Sequence, residues 1–390
     1  LLFMVPDFRR NLFYISKINS NKCYLTTTKE LKMKKQKSKK IIQKDIQSFR
    51  KMGTFTVIPG TEADVVTPEP TVCIIDTLLP MGFKTILAGT TGSNKSYYAM
   101  QEGMSIANDE DMFLGFKINK KGLKVLYVDT ESGPVEMHRR YLRLQKTFEN
   151  WKGSARFTML SKEGSFQNIW KALMDAIESF QPDMLYIDCL YNTTTERDLT
   201  KSINVSKFTD RITEIRERYD LTIRIIHHFN KGQHDLGLTM DRMSGANALQ
   251  NWVEHLMLLS YTCVSSLRLI TIVKARGIDY PREYYGLDWD SEQFKLSMIG
   301  IVSDWKKYLL DENKIDKWQM ALGQMAETFK TKDWLNKVVH ELGIVKERQA
   351  KRWLKEMSIA KIIEDCGHGN WRKTDMKFVD EILDNDIVLL

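Results

Sequence analysis

Residues 85–96, TILAGTTGSNKS, pass from an apolar, β-branched run into a loop of glycine and hydroxyl residues, and then into an amphipathic stretch opening at Lys95-Ser96. Few local patterns restrict a fold more. Such a loop works only with a strand before it and a helix after it, because loop N–H groups and the positive helix N-terminus must converge on one anion. Gly89-Thr90-Thr91-Gly92-Ser93-Asn94-Lys95-Ser96 is therefore a candidate cradle for a nucleoside triphosphate, with ATP the expected ligand. Lys95 would reach the β- and γ-phosphates, and the Ser96 hydroxyl would bind Mg²⁺. Asn94 stands where glycine is usual. A negative φ tolerates asparagine, and asparagine also accepts left-handed geometry better than most residues. Its side chain, however, would crowd the phosphates if it projected over the loop. A chance match in a glycine- and serine-rich loop is the competing reading, and the flanking strand and helix argue against it.

The rest of the central chain repeats the alternation. Short apolar runs, KVLYVDT (124–130), RFTML (156–160), DMLYIDCL (183–190) and TIRIIHHF (222–229), read as strands. Between them Ser96–Ile106, Pro134–Phe148, Phe166–Phe180 and Ser202–Tyr219 carry apolar residues at helical spacing. Strands alternating with helices predict an α/β fold with a parallel sheet covered on both faces. HLMLLSY (255–261), LRLITIVKA (267–275) and REYYGLDWD (282–290) follow without helices and predict an antiparallel extension.

Strand ends supply the other candidate groups. Asp188 closes four apolar residues at a strand's C-terminal end, where parallel sheets place ligands, and is the expected second Mg²⁺ contact. A helix-capping role is its alternative. Glu131 follows KVLYVDT and suits a general base that orients water; Asp129, one step inside the strand, is the rival acid, and a plain helix-start residue is the bland reading of Glu131. His227 and His228 end the next strand, and His228 is the one expected to face the ligand edge. A metal site with His234 lacks supporting ligand spacing. Lys274 and Arg276 close LRLITIVKA. They either stabilise transition-state charge, on a neighbouring copy's nucleotide, or are a solvated strand end.

Length favours a large domain with a smaller one: a tail over 1–51, a core over 52–300, a linker over 301–315 and a second domain over 316–390. Lys29–Lys51 holds ten Lys or Arg and two acids. Such a block repels itself and reads as a flexible tail, as a nucleic-acid-binding arm, or as translation upstream of Met33 or Met52. The net charge of +8 weakly favours an acidic partner. Five scattered cysteines without a C-x-x-C predict reduced thiols and a cytoplasmic protein. No run of about 18 apolar residues predicts a membrane span, and Pro6, Asp7, Arg9 and Arg10 break the apolar start that a secretory signal needs.

Residues 316–373 turn helical. Thr331 is expected to cap a helix Lys332–Leu342 ended by Gly343. Val345–Met357 follows, with Ala350, Trp353, Leu354 and Met357 as its inner stripe, and Cys366–Lys373 reads as a wing. The pattern predicts a winged helix-turn-helix that contacts DNA, or a protein-contact module of the same shape. Twelve cations against nine acids over Asp316–Asp375 make the charge signal modest.

LLPMGFKTILAGTTGSNKS (78–96), KVLYVDTES (124–132), DMLYIDCL (183–190), HHFNKG (227–232), SGANAL (244–249) and IVKARG (272–277) resemble, in this order, the segments of RecA-like ATPases. The nearest likeness is to plasmid RepA-type hexameric helicases and their phage relatives, over about 68–290. The resemblance implies a RecA fold and ATP-driven action on DNA as a ring with active sites between subunits. It implies Lys95, Ser96 and Asp188 as nucleotide and Mg²⁺ contacts, Glu131 as base, His228 as γ-phosphate sensor, and Lys274 with Arg276 as the finger acting in trans. It also turns Tyr191–Lys201 and Lys231–Arg242 toward a central channel for single-stranded DNA, a role for which they carry few cations and one aromatic. Two other classes stay open: an ATP-switched DNA-bound loader or regulator that does not translocate, and a non-hydrolysing DNA-binding adaptor.

Overall fold

Continuous apolar runs become central parallel strands because helices cover both faces of such a sheet, and alternate residues then serve two separate cores. The computed structural model of the chain describes residues 50–52, 55–57, 70–162, 169–189, 202–229, 238–240, 247–309, 312–374 and 387–389. It divides into two units, Leu1–Pro70 and Thr71–Leu390. In the first, β1 (Arg50–Met52) and β2 (Phe55–Val57) pair as an antiparallel hairpin. Residues 50 and 51, expected as the end of the basic tail, thus belong to a strand; residues 1–49 of that tail lie outside the described residues.

The second unit opens with β3 (Cys73–Ile75), β4 (Leu79–Pro80), β5 (Lys84–Gly89), α1 (Lys95–Ala107), β6 (Met112–Phe113) and β7 (Phe116–Lys117). It continues through β8 (Val125–Asp129), α2 (Pro134–Gln145), β9 (Phe157–Ser161), α3 (Ile169–Phe180), β10 (Met184–Asp188) and α4 (Ser202–Tyr219). Then come β11 (Thr222–His228), α5 (Asn247–Trp252), β12 (His255–Tyr261), β13 (Leu267–Ala275), β14 (Tyr285–Asp290) and β15 (Lys295–Val302). Ten strands form one sheet in the order β9-β8-β10-β11-β5-β12-β13-β14-β15, with a last strand, β19 (Ile387–Val388), beyond β15. Pairing is parallel from β9 to β12 and antiparallel from β12 outward. This is the expected RecA-like α/β sheet with its antiparallel extension.

Period-two alternation sorts the side chains. Leu126 and Val128 of β8, and Leu185 and Ile187 of β10, meet Leu173 and Ile177 of α3 and Phe208, Ile212 and Ile215 of α4. Val125, Tyr127, Met184 and Tyr186 point the other way, onto Tyr98, Met100 and Met104 of α1 and Met137 and Leu144 of α2. All five residues of β10 are buried, and each large apolar side chain so buried stabilises the fold by about 1.5–3 kcal/mol. A charged pair sits in this core. Arg224 of β11 pairs with Glu102 of α1 at 2.8 Å with both side chains fully buried, and the Tyr186 hydroxyl donates to the same carboxylate at 2.8 Å. The pair locks the register of α1, and so of the loop before it, against the sheet.

Of the stretch 301–315 expected as a linker, the described residues 301–309 and 312–315 lie largely in folded elements. Ile301 and Val302 complete β15, and Trp305–Leu309 forms a 3₁₀ turn with Tyr308 and Leu309 buried in the core. Trp305 stacks on Tyr284 at 3.9 Å. From residue 312 the chain is helical, as α6 (Glu312–Gly323). Beyond it lie β16 (Thr328–Lys330), α7 (Thr331–Leu335) running on into a wider helical turn over Asn336–Glu341, α8 (Glu347–Ile359), β17 (Ile363–Asp365) and β18 (Asn370–Lys373). These build a small core around Trp318, Trp334, Trp353 and Met357, with a three-stranded antiparallel sheet ordered β16-β18-β17. Thr331 does not cap from outside; it is the first helical residue, and its hydroxyl bonds to the Gly369 carbonyl and accepts from the Trp371 indole. Asp333 caps instead, through the Lys330 N–H at 3.0 Å. Gly343 ends the turn with a φ of 59°, as expected. The last strand leaves this module: β19 pairs with β15, Ile301 opposite Val388, so residues 387–388 belong to the large sheet.

Candidate nucleotide site

Register brings the C-terminal ends of the parallel strands to one edge. Gly89 lies opposite His228 and Leu259, and Asp188 opposite Asp129 and Ile226. At Gly89 a Cβ would stand 2.0 Å from the Leu259 carbonyl oxygen, so only glycine lets β5 and β12 pair up to the point where the loop leaves.

The loop folds on itself. The Ser93 hydroxyl and the Lys95 ammonium both donate to the Thr90 carbonyl, at 2.8 and 2.6 Å. The Thr90 hydroxyl accepts from the Tyr261 N–H at 3.4 Å, while Thr91 and Gly92 face solvent. Burial pushes the Lys95 ammonium down to about 8, against the pull of Asp188 and Glu131. Asn94 adopts the left-handed conformation, φ 68° and ψ 26°. Its side chain does not hang over the loop: Oδ1 accepts from Arg268 Nε at 2.7 Å, and Arg268 also donates to the Ser265 and Leu267 carbonyls. Arg268 was not legible as a site residue. Its one signal is a buried cation at the start of an apolar strand.

Asp188 is almost fully buried, and burial raises its carboxyl above the usual carboxylate range, opposed by hydrogen bonds from Ser96 and Tyr127. The Tyr127 hydroxyl stands 2.8 Å from Asp188 Oδ2. Ser96 and Asp188 thus meet as an all-oxygen donor pair, which fits a hard cation such as Mg²⁺. Asp129, the rival acid, spends its carboxylate on the turn by accepting the Glu131 and Ser132 N–H groups at 3.2 Å. Thr130 stitches the same turn to β10: its N–H donates to the Asp188 carbonyl at 2.7 Å and its hydroxyl accepts from the Cys189 N–H at 3.0 Å.

Glu131 is left projecting at the edge. Its Oε1 accepts from the Cys189 thiol at 2.8 Å and lies 3.4 Å from His228 Nε2. The hydrogen bond to His228, that from Cys189 and the Lys95 charge hold the carboxyl down at about 2 despite partial burial. The carboxylate therefore stays ionised at neutral pH. His227 is fully buried and His228 half-buried at the edge.

Lys274 and Arg276 are elsewhere. Ala275 pairs with His255, which pairs with Thr85, so the end of β13 lies at the start of β5, the opposite edge from Gly89. There Lys274 Nζ donates to the Gln250 carbonyl at 2.7 Å and Arg276 to the Asn251 carbonyl at 3.1 Å, satisfying the C-terminus of α5. Residues 191–201, 231–237 and 241–242 of the expected channel loops, and His234, lie outside the described residues.

A strand-loop-helix cradle, a buried aspartate beside its serine and a projecting glutamate thus meet at one edge of the α/β sheet. The family model described as an AAA domain matches residues 58–234. That span takes in the whole loop, Glu131, Asp188 and His228, and ends before Lys274 and Arg276. No curated protein matches the chain. Among solved structures the chain is similar to a KaiC-like protein, PH0186, from the hyperthermophilic archaeon Pyrococcus horikoshii OT3, at 14% identity over 59% of this chain and 99% of that one, with a TM-score of 0.44. Among the described residues no helix is long and apolar enough to cross a membrane.

Proposed function

We propose that this chain hydrolyses ATP with Mg²⁺ and uses it to move on DNA as an oligomeric ring, a hexameric replicative helicase of a phage or mobile element. The observation that carries the hydrolytic part is that edge-facing Glu131 projects beside buried Lys95 and the pair of half-buried Ser96 with buried Asp188. Lys95 leaves the Thr90 carbonyl to hold the β- and γ-phosphates. Ser96 and Asp188 would hold Mg²⁺, which neutralises phosphate charge when bound. Glu131 orients a water and takes its proton; His228, hydrogen-bonded to Glu131, is positioned to register the γ-phosphate and its loss. The ring reading is supported by Lys274 and Arg276. At the far edge of their own sheet they serve no nucleotide of their own chain, and a neighbour's site is where their charge can act. DNA as the partner is supported by the cations Arg348, Lys351, Arg352 and Lys355 of α8 and Lys346 just before it, of which Lys351 and Arg352 also pair with Glu347 and Glu356. The helix, the β17–β18 hairpin and the buried stripe Ala350, Trp353, Leu354 and Met357 fit the winged-helix reading.

Strand displacement tests it. The full chain with ATP and Mg²⁺ is expected to open a tailed duplex, with ATPase stimulated by single-stranded DNA and a ring-sized particle mass. Stimulation without unwinding would leave the ATP-switched loader. Unchanged activity in Lys95→Ala would remove the enzyme class.

A further inference from the structure

Three side chains with metal-binding chemistry converge beside the phosphate loop, and hydrolysis as described uses only part of what they offer. Glu131, Cys189 and His228 come from the ends of three adjacent strands, β8, β10 and β11, whose register fixes their spacing. Glu131 Oε1 lies 2.8 Å from Cys189 Sγ and 3.4 Å from His228 Nε2, and all three ligand atoms fall within 4.8 Å of one another. A tetrahedral zinc site, with bonds of about 2.0–2.3 Å, sets its ligand atoms roughly 3.3–3.6 Å apart. Small side-chain rotations bridge the difference. Cys189 is fully buried while the Glu131 side chain is 40% exposed, so a fourth position would open to water.

We propose that Glu131, Cys189 and His228 form an inhibitory site for a soft divalent cation, Zn²⁺ above all, distinct from the oxygen pair Ser96–Asp188. Thiolate and imidazole favour Zn²⁺ over Mg²⁺, whereas the all-oxygen hydroxyl and carboxylate pair suits Mg²⁺. On binding, the Cys189 thiol gives its proton to solvent and the sulfur takes the ion together with His228 Nε2 and a Glu131 oxygen. Glu131 can then no longer accept a proton from water, and His228 can no longer turn toward the γ-phosphate. Zn²⁺ therefore stops hydrolysis while leaving the phosphate loop free to bind ATP. The inhibitory consequence rests on the ATPase reading above; the ion site does not.

The test separates the two. Co²⁺ titrated into the metal-stripped full chain without nucleotide is expected to give a thiolate-to-cobalt charge-transfer band at one equivalent per chain, displaced by Zn²⁺. Cys189→Ser, which keeps a donor to Glu131, should lose the band, and His228→Gln should weaken Co²⁺ binding at least tenfold. With Mg²⁺ in excess, Zn²⁺ should inhibit the ATPase, and Cys189→Ser should need at least ten times more Zn²⁺, read against its own uninhibited rate. No band, or a band that survives in Cys189→Ser and so belongs to another thiol, overturns the site. A band in a chain that Zn²⁺ does not inhibit overturns the regulatory role. A band in a chain with no ATPase keeps the ion site and sinks the function.

Discussion

The two edges of the large sheet carry the same kinds of residue to different ends. At the edge where β5, β8, β10 and β11 finish, Lys95, Asp188 and His228 are buried or half-buried, and Glu131 projects exposed beside them. At the opposite edge Lys274 and Arg276 are spread over the carbonyls that end α5. A charge at a strand end is thus not a site by itself. It becomes one only where parallel strands finish together and a helix N-terminus points at the same spot. If the second edge contributes to catalysis, it must do so across a subunit boundary.

The largest expected effect breaks or confirms that division. Arg276→Ala should lower hydrolysis by about 10³-fold or more, with ATP affinity unchanged by equilibrium binding. Mixing it with Lys95→Ala copies should restore part of the rate, since each copy supplies the half the other lacks. Full activity in Arg276→Ala would leave the two edges unconnected. Next, Glu131→Gln should cost about 10²–10⁴-fold in single-turnover hydrolysis while nucleotide still binds; equal loss of binding would make Glu131 structural.

A smaller effect follows from Lys95. Its ammonium in the nucleotide-free chain loses its proton as pH rises through about 8. ATP affinity should then fall by up to about tenfold per pH unit above that point, and stay flat in Lys95→Arg, whose charge does not titrate. Stability runs the other way. Burial disfavours the charged lysine in the fold, so its destabilising contribution is present below pH 8 and relieved as pH rises toward the unfolded value of 10.5. Glu131, held at about 2, stays ionised at neutral pH, so mild acid should not slow hydrolysis through it. The smallest effect is at Asn94. By urea denaturation Asn94→Ala should destabilise the chain by about 1–2 kcal/mol more than Asn94→Gly, because both lose the bond from Arg268 but only alanine resists the left-handed conformation.

Much of this edge is legible in residue order. Thr85–Ser96 encodes its strand, loop and helix locally, and Asp188 declares itself by closing an apolar run. Asp129 and Glu131 are two residues apart at one strand end, and order leaves them rivals; the turn separates them by giving Asp129 two backbone N–H groups. Cys189 reads as one more reduced thiol because nothing in its neighbours reveals Glu131 beside it. The stretch 301–315 reads as a linker because its acids are visible, whereas the pocket that takes Tyr308 is built by distant strands.

The sequence by itself determined the alternation of strands and helices, the phosphate loop and the aspartate that faces it, since period and loop chemistry are properties of neighbouring residues. Tertiary structure decided the rest: the grip of Arg268 on Asn94, the meeting of Glu131, Cys189 and His228, and the opposite edge for Lys274 and Arg276. Those depend on which strands lie side by side and in what register, and residues from 24 to 174 positions apart settle them only by packing together.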